Sequence, residues 1–405
     1  MIKFWKYRPY SILVYYKSNV LLCQNETYMA KFRRVLKRVT IVFLSIIFIF
    51  IAIVFLYMKQ AQFGKAPKAE RLERIKQSPN YKDGKFQNIH YTPELAEGYS
   101  MTGVIYKQFF KKAPGRKPVD RIPSVKIDLL KLPLDQDVLV WFGHSSYFIQ
   151  LDGKRILMDP VFSGNASPVP GTNRSFEGTD IYTVEDLPAI DYLFISHDHY
   201  DHLDYETILK LKAKTGKVIC GLGVGAHFED WGYDKTKIIE GDWHDSVALA
   251  DGFKAFITPA RHFSGRGLTR NNTLWCSYVL QTPSMKIYMG GDSGYDTHFA
   301  EIGEQFGPID LAMIDNGQYD LAWRFIHTLP DEVLKAAKDL KAKRLFPVHS
   351  SKFVLANHPW KEPLSVIADH NEKDFHCPVI TPKIGELVYL KDSKQVFPKW
   401  WEGVR

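Results

Sequence analysis

The densest chemistry in this chain is the run His197-Asp198-His199-Tyr200-Asp201-His202. Three imidazoles and two carboxylates fall within six residues, at the end of an apolar run, Asp191–Ser196, that reads as a buried strand. Charged groups are seldom buried without partners, so crowding them at a strand end calls for a cation. Neutral imidazole together with carboxylate suits Zn²⁺, with Fe²⁺ or Mn²⁺ at a more oxygen-rich site. On an extended segment His197 and His199 point the same way and can hold a first metal. Asp201 and His202, beyond the bend, can hold a second.

Two ions need a further ligand each and preferably one carboxylate between them. Three candidates stand at the ends of other apolar runs: His262 after Phe256–Arg261, Asp292 after Ile287–Gly291, and His349 after Arg344–Val348. The glycines before Asp292 permit close backbone approach.

The elements that must bring these groups together are mostly short strands. Val138–Phe142, Tyr147–Leu151 and Arg155–Met158 are β-rich runs, and Asp152-Gly153 between the last two is a hairpin turn. Further strands are expected at Lys217–Cys220, Phe253–Ile257, Trp275–Leu280, Lys286–Met289 and Leu311–Ile314. Helices are expected at Tyr205–Lys214, Phe299–Phe306, Pro330–Leu340 and Leu364–Glu372; Pro330 suits a first helical turn, and Asp331 and Glu332 suit its dipole. Hairpins followed by mixed strands and helices imply an α+β chain, two sheets flanked by helices. No repeat with a period of 20–50 residues is found.

The motifs together resemble those of metallo-β-lactamase-fold hydrolases, and more narrowly of N-acylphosphatidylethanolamine-hydrolysing phospholipase D. The likeness runs from about Val138 to Leu390 and rests on Trp141–Ser146, Met158–Ser163, Ile195–Asp204, Gly290–Tyr295, Phe306–Ala312 and Val348–Asn357. It implies a four-layer αβ/βα sandwich with two metals at the sheet edge. His197, His199 and His262 would hold one metal; Asp201, His202 and His349 would hold the other; Asp292 would bridge them. The nucleophile would be a hydroxide between the metals, attacking phosphorus in line, so that Asp201 and Asp292 serve catalysis through the metals. His327 matches a family histidine that contacts the substrate's polar group and is expected to donate to the scissile group. His144 and Asp159 fit roles that orient the ligands. Arg261 and Arg266 flank His262 and are candidates for binding phosphate. Asn316–Arg324 and Phe263–Gly267 depart from the lipid-hydrolysing pattern and are expected to line the substrate entrance.

Charge is divided unevenly. Residues 1–120 carry a net +15 and the remainder a net −7. The basic excess thus lies outside the region of the site, which argues against a nucleic-acid enzyme and for contact with anionic lipid headgroups. Residues 41–58 contain no charge and one Ser, long enough for a membrane-spanning helix. Lys31, Arg33, Arg34, Lys37 and Arg38 precede it, favouring an inside N-terminus and a catalytic domain on the non-cytoplasmic face. An uncleaved anchor is expected, with Met29 as the natural start. The expected organisation is a basic leader at 1–39, an anchor at 40–58, a tether and packed segment at 59–130, and the hydrolase domain at 131–405. The partners expected are the bilayer and a phospholipid substrate, with no nucleic acid. Cys23, Cys220, Cys276 and Cys377 are too widely spaced for a zinc site or a disulfide framework. Competing readings are a lactonase or sugar-phosphate hydrolase on the same metals and a non-catalytic, membrane-tethered metal-binding protein. Gly221–Ala226 with Asp242 gives a loose dinucleotide fingerprint. Gly143–Tyr147 lacks the last glycine of a nucleophile elbow, against a serine hydrolase.

Overall fold

The structure is a computed structural model that describes residues 10–405, with side chains from Tyr28 onward except that of Asp374. The first nine residues of the basic leader lie outside the described residues. The chain divides into two units, Met1–Gln60 and Ala61–Arg405. In the first, helix α1 runs from Tyr10 to Tyr57. Within its stretch Tyr28–Tyr57, exposed along its length, lies an 18-residue apolar window, close to the ~20 residues that cross a bilayer core.

The second unit begins with helix α2 (Ala69–Lys76), the hairpin β1 (Tyr81–Lys82) and β2 (Lys85–Phe86), and helix α3 (Met101–Phe110). Then come β3 (Val138–Trp141), β4 (Tyr147–Leu151), β5 (Lys154–Met158), β6 (Ile190–Ile195), α4 (Tyr205–Leu211), β7 (Thr215–Gly221), α5 (Gly225–Asp230) and β8 (Ile238–Gly241). The second half holds β9 (Ser246–Ala248), β10 (Lys254–Thr258), β11 (Ser277–Gln281), β12 (Lys286–Met289), α6 (His298–Phe306), β13 (Leu311–Asp315), α7 (Pro330–Asp339), β14 (Leu345–Val348), α8 (Glu362–His370) and β15 (Leu387–Tyr389).

The strands make two large sheets, in the orders β15-β3-β4-β5-β6-β7-β8 and β14-β13-β12-β11-β10-β9. Each half starts antiparallel and turns parallel, from β5 to β8 in one and from β12 to β14 in the other. Alternate strand residues serve different cores. Leu139, Trp141, Phe194, Tyr278, Leu280 and Met289 meet between the sheets. Val140, Phe148, Leu193 and Val218 face outward beneath α4 and α5, with Ile208, Leu211 and Phe228. Val279, Ala312 and Ile314 do the same beneath α6, α7 and α8. The result is a helix–sheet–sheet–helix sandwich. Burial on both faces explains why the central strands read as unbroken apolar runs.

The segment after α1 is more ordered than a tether. Helix α2 has the polar sequence Ala-Glu-Arg-Leu-Glu-Arg-Ile-Lys and buries only Ile75. It is held by Arg71, whose guanidinium bonds both oxygens of Glu229 at 2.8 and 2.9 Å and Glu240 at 2.8 Å. Such a helix depends on distant ion pairs, which hydrophobic periodicity does not report.

Candidate metal centre

Strands β3, β5 and β6 run in one direction within their sheet, as do β10, β12, β13 and β14 within theirs. The polar candidates follow their C-terminal ends. His144 follows β3, Asp159 follows β5, and the run 197–202 follows β6. His262 follows β10, Asp292 follows β12, and His349 follows β14. Gly291 allows the Asp292 loop to close on β6, since a Cβ there would lie 2.5 Å from Ser196 Cβ. His144, Asp159 and His349 hold left-handed backbones, φ 54°, 41° and 67°, strain of the kind that collects at working sites.

The side chains converge as two groups of four, and Asp292, His327 and His349 make a smaller third that joins them. In one, His197, His199, His262 and Asp292 bring their donor atoms within 4.8 Å of one another; in the other, His144, Asp201, His202 and His349 do so. Asp292 lies between them. Its Oδ1 is 3.1 Å from His202 Nε2 and 3.0 Å from His349 Nδ1. Its Oδ2 is 3.8 Å from His197 Nε2 and 3.7 Å from His262 Nε2.

This donor set fits divalent metal. His202 Nε2, His349 Nε2 and Asp292 Oδ1 are buried and make no hydrogen bond. His202 Nε2 and Asp292 Oδ1 face each other as charges at 3.1 Å, so the uncompensated atom is His349 Nε2, at a cost of about 1–3 kcal/mol. His262 Nε2 and His199 Nδ1 are 3.3 Å apart, the edge of a tetrahedron whose nitrogens lie ~2 Å from a central zinc. Metal-dependent chemistry therefore has a place and donors here.

Neighbouring groups fix how the imidazoles point. Asp159 accepts from Ser196 N at 2.8 Å and Ser196 Oγ at 2.6 Å, and its Oδ2 lies 2.8 Å from His202 Nδ1, which turns His202 Nε2 toward the centre. His262 Nδ1 donates to Ile326 O at 2.8 Å. His144 Nε2 reaches Asp201 Oδ2 at 2.8 Å, and Ser145 Oγ reaches His349 Nδ1 at 3.0 Å. Asp198 turns away from both groups. It takes hydrogen bonds from Gly265 N and Thr273 Oγ1 at 2.7 and 2.9 Å and faces His227 Nε2 at 3.2 Å. Its role is to hold the loop.

Electrostatics keeps most of the imidazoles neutral. Burial, reinforced by the neighbouring histidines, holds His197 well below the usual imidazole range. Burial does the same to His262, and it lowers His199, His144 and His349, the last to about 3. His202 moves the other way: burial opposes its charge, but Asp292, Asp201 and Asp159 prevail. Burial likewise opposes ionisation of Asp201 and Asp292, yet His202 and its neighbours hold both well below the carboxylate range.

A cavity of about 730 Å³ opens over the centre. His199, Asp201, His262, Asp292, His327 and His349 reach it; Leu268, Trp323, Ile326 and Leu355 supply apolar wall. Residues from both segments expected at the entrance, 263–267 and 316–324, line it. His327 is held by Asp315, whose Oδ2 is 2.7 Å from His327 Nδ1; that leaves Nε2 for the cavity. Burial works against a charge on His327, but the Asp315 carboxylate outweighs it and raises the imidazole. Burial raises Asp315 in turn.

The two arginines expected to bind phosphate do not line the cavity. Arg266 is buried, and its guanidinium donates to Asp198 O, Leu203 O and Gln62 O while stacking over Tyr200 and Trp231. Arg261 donates to Thr92 Oγ1 and Tyr91 O, pairs with Asp296 at 3.5 Å and stacks on Phe325. Both fasten main chain around the site. The cations at the cavity are Lys85 and Arg270, both exposed; Glu94 also lines it and lies 3.8 Å from the Arg270 guanidinium. The dinucleotide fingerprint also finds another use. Gly223 N and Gly225 N both donate to Glu240 Oε1 at 2.9 Å, so the chain's own carboxylate fills that nest.

Sequence reading missed Lys352. Its side chain is 1% exposed, and its Nζ lies 2.9 Å from Val161 O, 3.2 Å from Phe142 O and 3.3 Å from Asp180 Oδ1. It joins the loops that carry His144 and Asp159. Its position three residues after His349 was the available signal.

Known proteins resemble this chain over most of its length. A family described as Beta-lactamase superfamily domain matches residues 154–350. The uncharacterized protein Rv0906 of Mycobacterium tuberculosis is 37% identical over 331 residues, covering 80% of this chain and 88% of that one. N-acyl-phosphatidylethanolamine-hydrolyzing phospholipase D 1 of Caenorhabditis elegans is 28% identical over 273 residues, 62% of this chain and 75% of its own length. The mitochondrial N-acyl-phosphatidylethanolamine-hydrolyzing phospholipase D of Saccharomyces cerevisiae is 33% identical over 238 residues, 55% of this chain and 49% of its own.

Proposed function

The chain belongs to the beta-lactamase superfamily, as a metal-dependent hydrolase of metallo-β-lactamase fold, and on that premise we propose that it is a membrane-anchored phosphodiesterase of phospholipase D type. Its substrates are lipids like N-acyl phosphatidylethanolamine. The observation that carries the reading is a doubled donor cluster, shared through Asp292, under a cavity that joins apolar wall to exposed cations. The likeness to the nematode and yeast phospholipases supports the lipid class, and the apolar helix Tyr28–Tyr57 supports anchoring.

In this reading His197, His199 and His262 would hold one ion, Asp201, His202 and His349 would hold the other, and Asp292, placed between the two groups, would be available to both. Zn²⁺ is favoured by the preponderance of imidazole. When bound, the ions lower the pKa of water and offset the charge that grows on the scissile phosphate. The remaining work belongs to the chain. Lys85 and Arg270 draw the diester anion to the cavity. Leu268, Trp323, Ile326 and Leu355 receive acyl chain and exclude water from it. His327, kept protonated by Asp315, donates from Nε2 to the scissile group or its leaving oxygen. Asp159 and His144 hold His202 and Asp201 in register.

The test is metal analysis of the purified protein together with assays on N-acyl phosphatidylethanolamine and on a bis(aryl) phosphodiester. Turnover of both is expected. A metal-loaded protein that hydrolyses neither refutes the phosphodiesterase assignment.

A further inference from the structure

None of the ten residues of α3 is buried. Its large apolar side chains, Met101, Ile105, Tyr106, Phe109 and Phe110, are between 48% and 75% exposed. They follow i, i+4 spacing, 101-105-109 and 106-110, which places them as neighbours on the helix surface. Tyr106 and Phe110 stack with ring centres 5.4 Å apart. Water does not favour a helix that displays such a stripe, so the stripe marks a contact surface.

The charges around it indicate what is contacted. From Gly98 to Val119 the chain carries Lys107, Lys111, Lys112, Arg116 and Lys117 and no acidic residue. Residues 121–405, by contrast, are net acidic at −7. Exposed aromatic and aliphatic side chains among lysines are the composition of a helix that lies in a bilayer interface. Pairing with a second copy through this face would bring the two sets of lysines together. The same chain carries a helix long enough to cross a bilayer. Met101 and Val104, at the N-terminal end of α3, also line the cavity over the metal centre.

We propose that α3 and the basic turn after it form a docking element for a bilayer rich in anionic phospholipid, seating the cavity mouth at the headgroup layer. The inference rests on the lipid reading above for the substrate it would serve. Phe109 and Phe110 enter the interface, while Lys107, Lys111 and Lys112 meet lipid phosphates. Each lysine strengthens the docking about fivefold on an anionic surface.

The test uses the full chain in vesicles, with Cys23→Ser and Cys377→Ser as background. A polarity-sensitive fluorophore is placed at Phe109→Cys. In phosphatidylcholine vesicles containing phosphatidylserine, the label is expected to shift to the blue and to be quenched by spin-labelled lipid, and less so without phosphatidylserine. Reversing the charges with Lys107→Glu/Lys111→Glu/Lys112→Glu should abolish the quenching. The same variant should slow hydrolysis of vesicle-borne N-acyl phosphatidylethanolamine by about tenfold or more. Its metal content and its turnover of the soluble bis(aryl) phosphodiester should be unchanged. A label with water-like emission in anionic vesicles overturns the proposal. So does protection that appears only as protein density rises, which would signal a second copy. Quenching without turnover of either substrate upholds docking and removes the lipid-hydrolase reading; turnover without quenching does the reverse.

Discussion

Replacing Lys352 with methionine tests whether a buried cation organises the metal centre from behind. The substitution keeps the chain length and removes the charge. It strips a charged donor from Val161 O and Phe142 O, 2.9 and 3.2 Å from Nζ. Each carbonyl left dry costs about 1–3 kcal/mol. Asp180 is 34% exposed, so water replaces its partner at little cost. Methionine recovers part of the loss, because burial disfavours the ammonium in the first place. The net expectation is a destabilisation of about 2–4 kcal/mol, read by guanidinium unfolding in detergent with metal chelated. Phe142 and Val161 neighbour the loops of His144 and Asp159, so affinity for the ion at Asp201 and His202 should fall about tenfold. Competition with a chromophoric chelator measures that. Lys343→Met, which breaks an exposed pair with Asp310, is the control and should stay within about 0.5 kcal/mol of the parent. If Lys352→Met is equally silent, or binds metal as the parent does, the reasoning is wrong.

Four further outcomes are expected. His327→Gln should lower kcat on the bis(aryl) phosphodiester about 100-fold with metal content intact. Asp315→Asn should lower the His327 pKa; with protonated His327 as the donor proposed above, the alkaline fall in kcat should then begin at a lower pH, as a pH–rate profile would show. Chelation should abolish turnover, and added Zn²⁺ or Mn²⁺ should restore it and raise the unfolding temperature. Gly303→Ala places a Cβ 1.9 Å from Asp339 O and 2.9 Å from Leu340 Cα, so α6 and α7 must separate, at about 1–3 kcal/mol or more by thermal unfolding.

The central strands were legible because they are buried on both faces, which leaves an unbroken apolar run such as Leu311–Ile314 and a polar residue where the run stops. That pattern located His197, Asp292 and His349 without knowledge of the topology. Edge strands gave no such run: β9 has the sequence Ser-Val-Ala, with exposed ends. Direction was harder to read than position. Arg266 lies four residues from His262, yet its side chain turns inward to three carbonyls, a choice made by the loop's path and not by spacing. Asp315 passed as a strand terminus because its partner, His327, is twelve residues away across a loop.

The donors come from both sheets: His197, His199, Asp201 and His202 follow a strand of one, while His262, Asp292 and His349 follow strands of the other. Neither half can assemble the ligand set by itself. Any cation bound by this set would therefore be thermodynamically coupled to the closure of one half-sandwich on the other, and would act as a clasp. Chain made where metal is scarce should breathe along that seam, and proteases should find it there first.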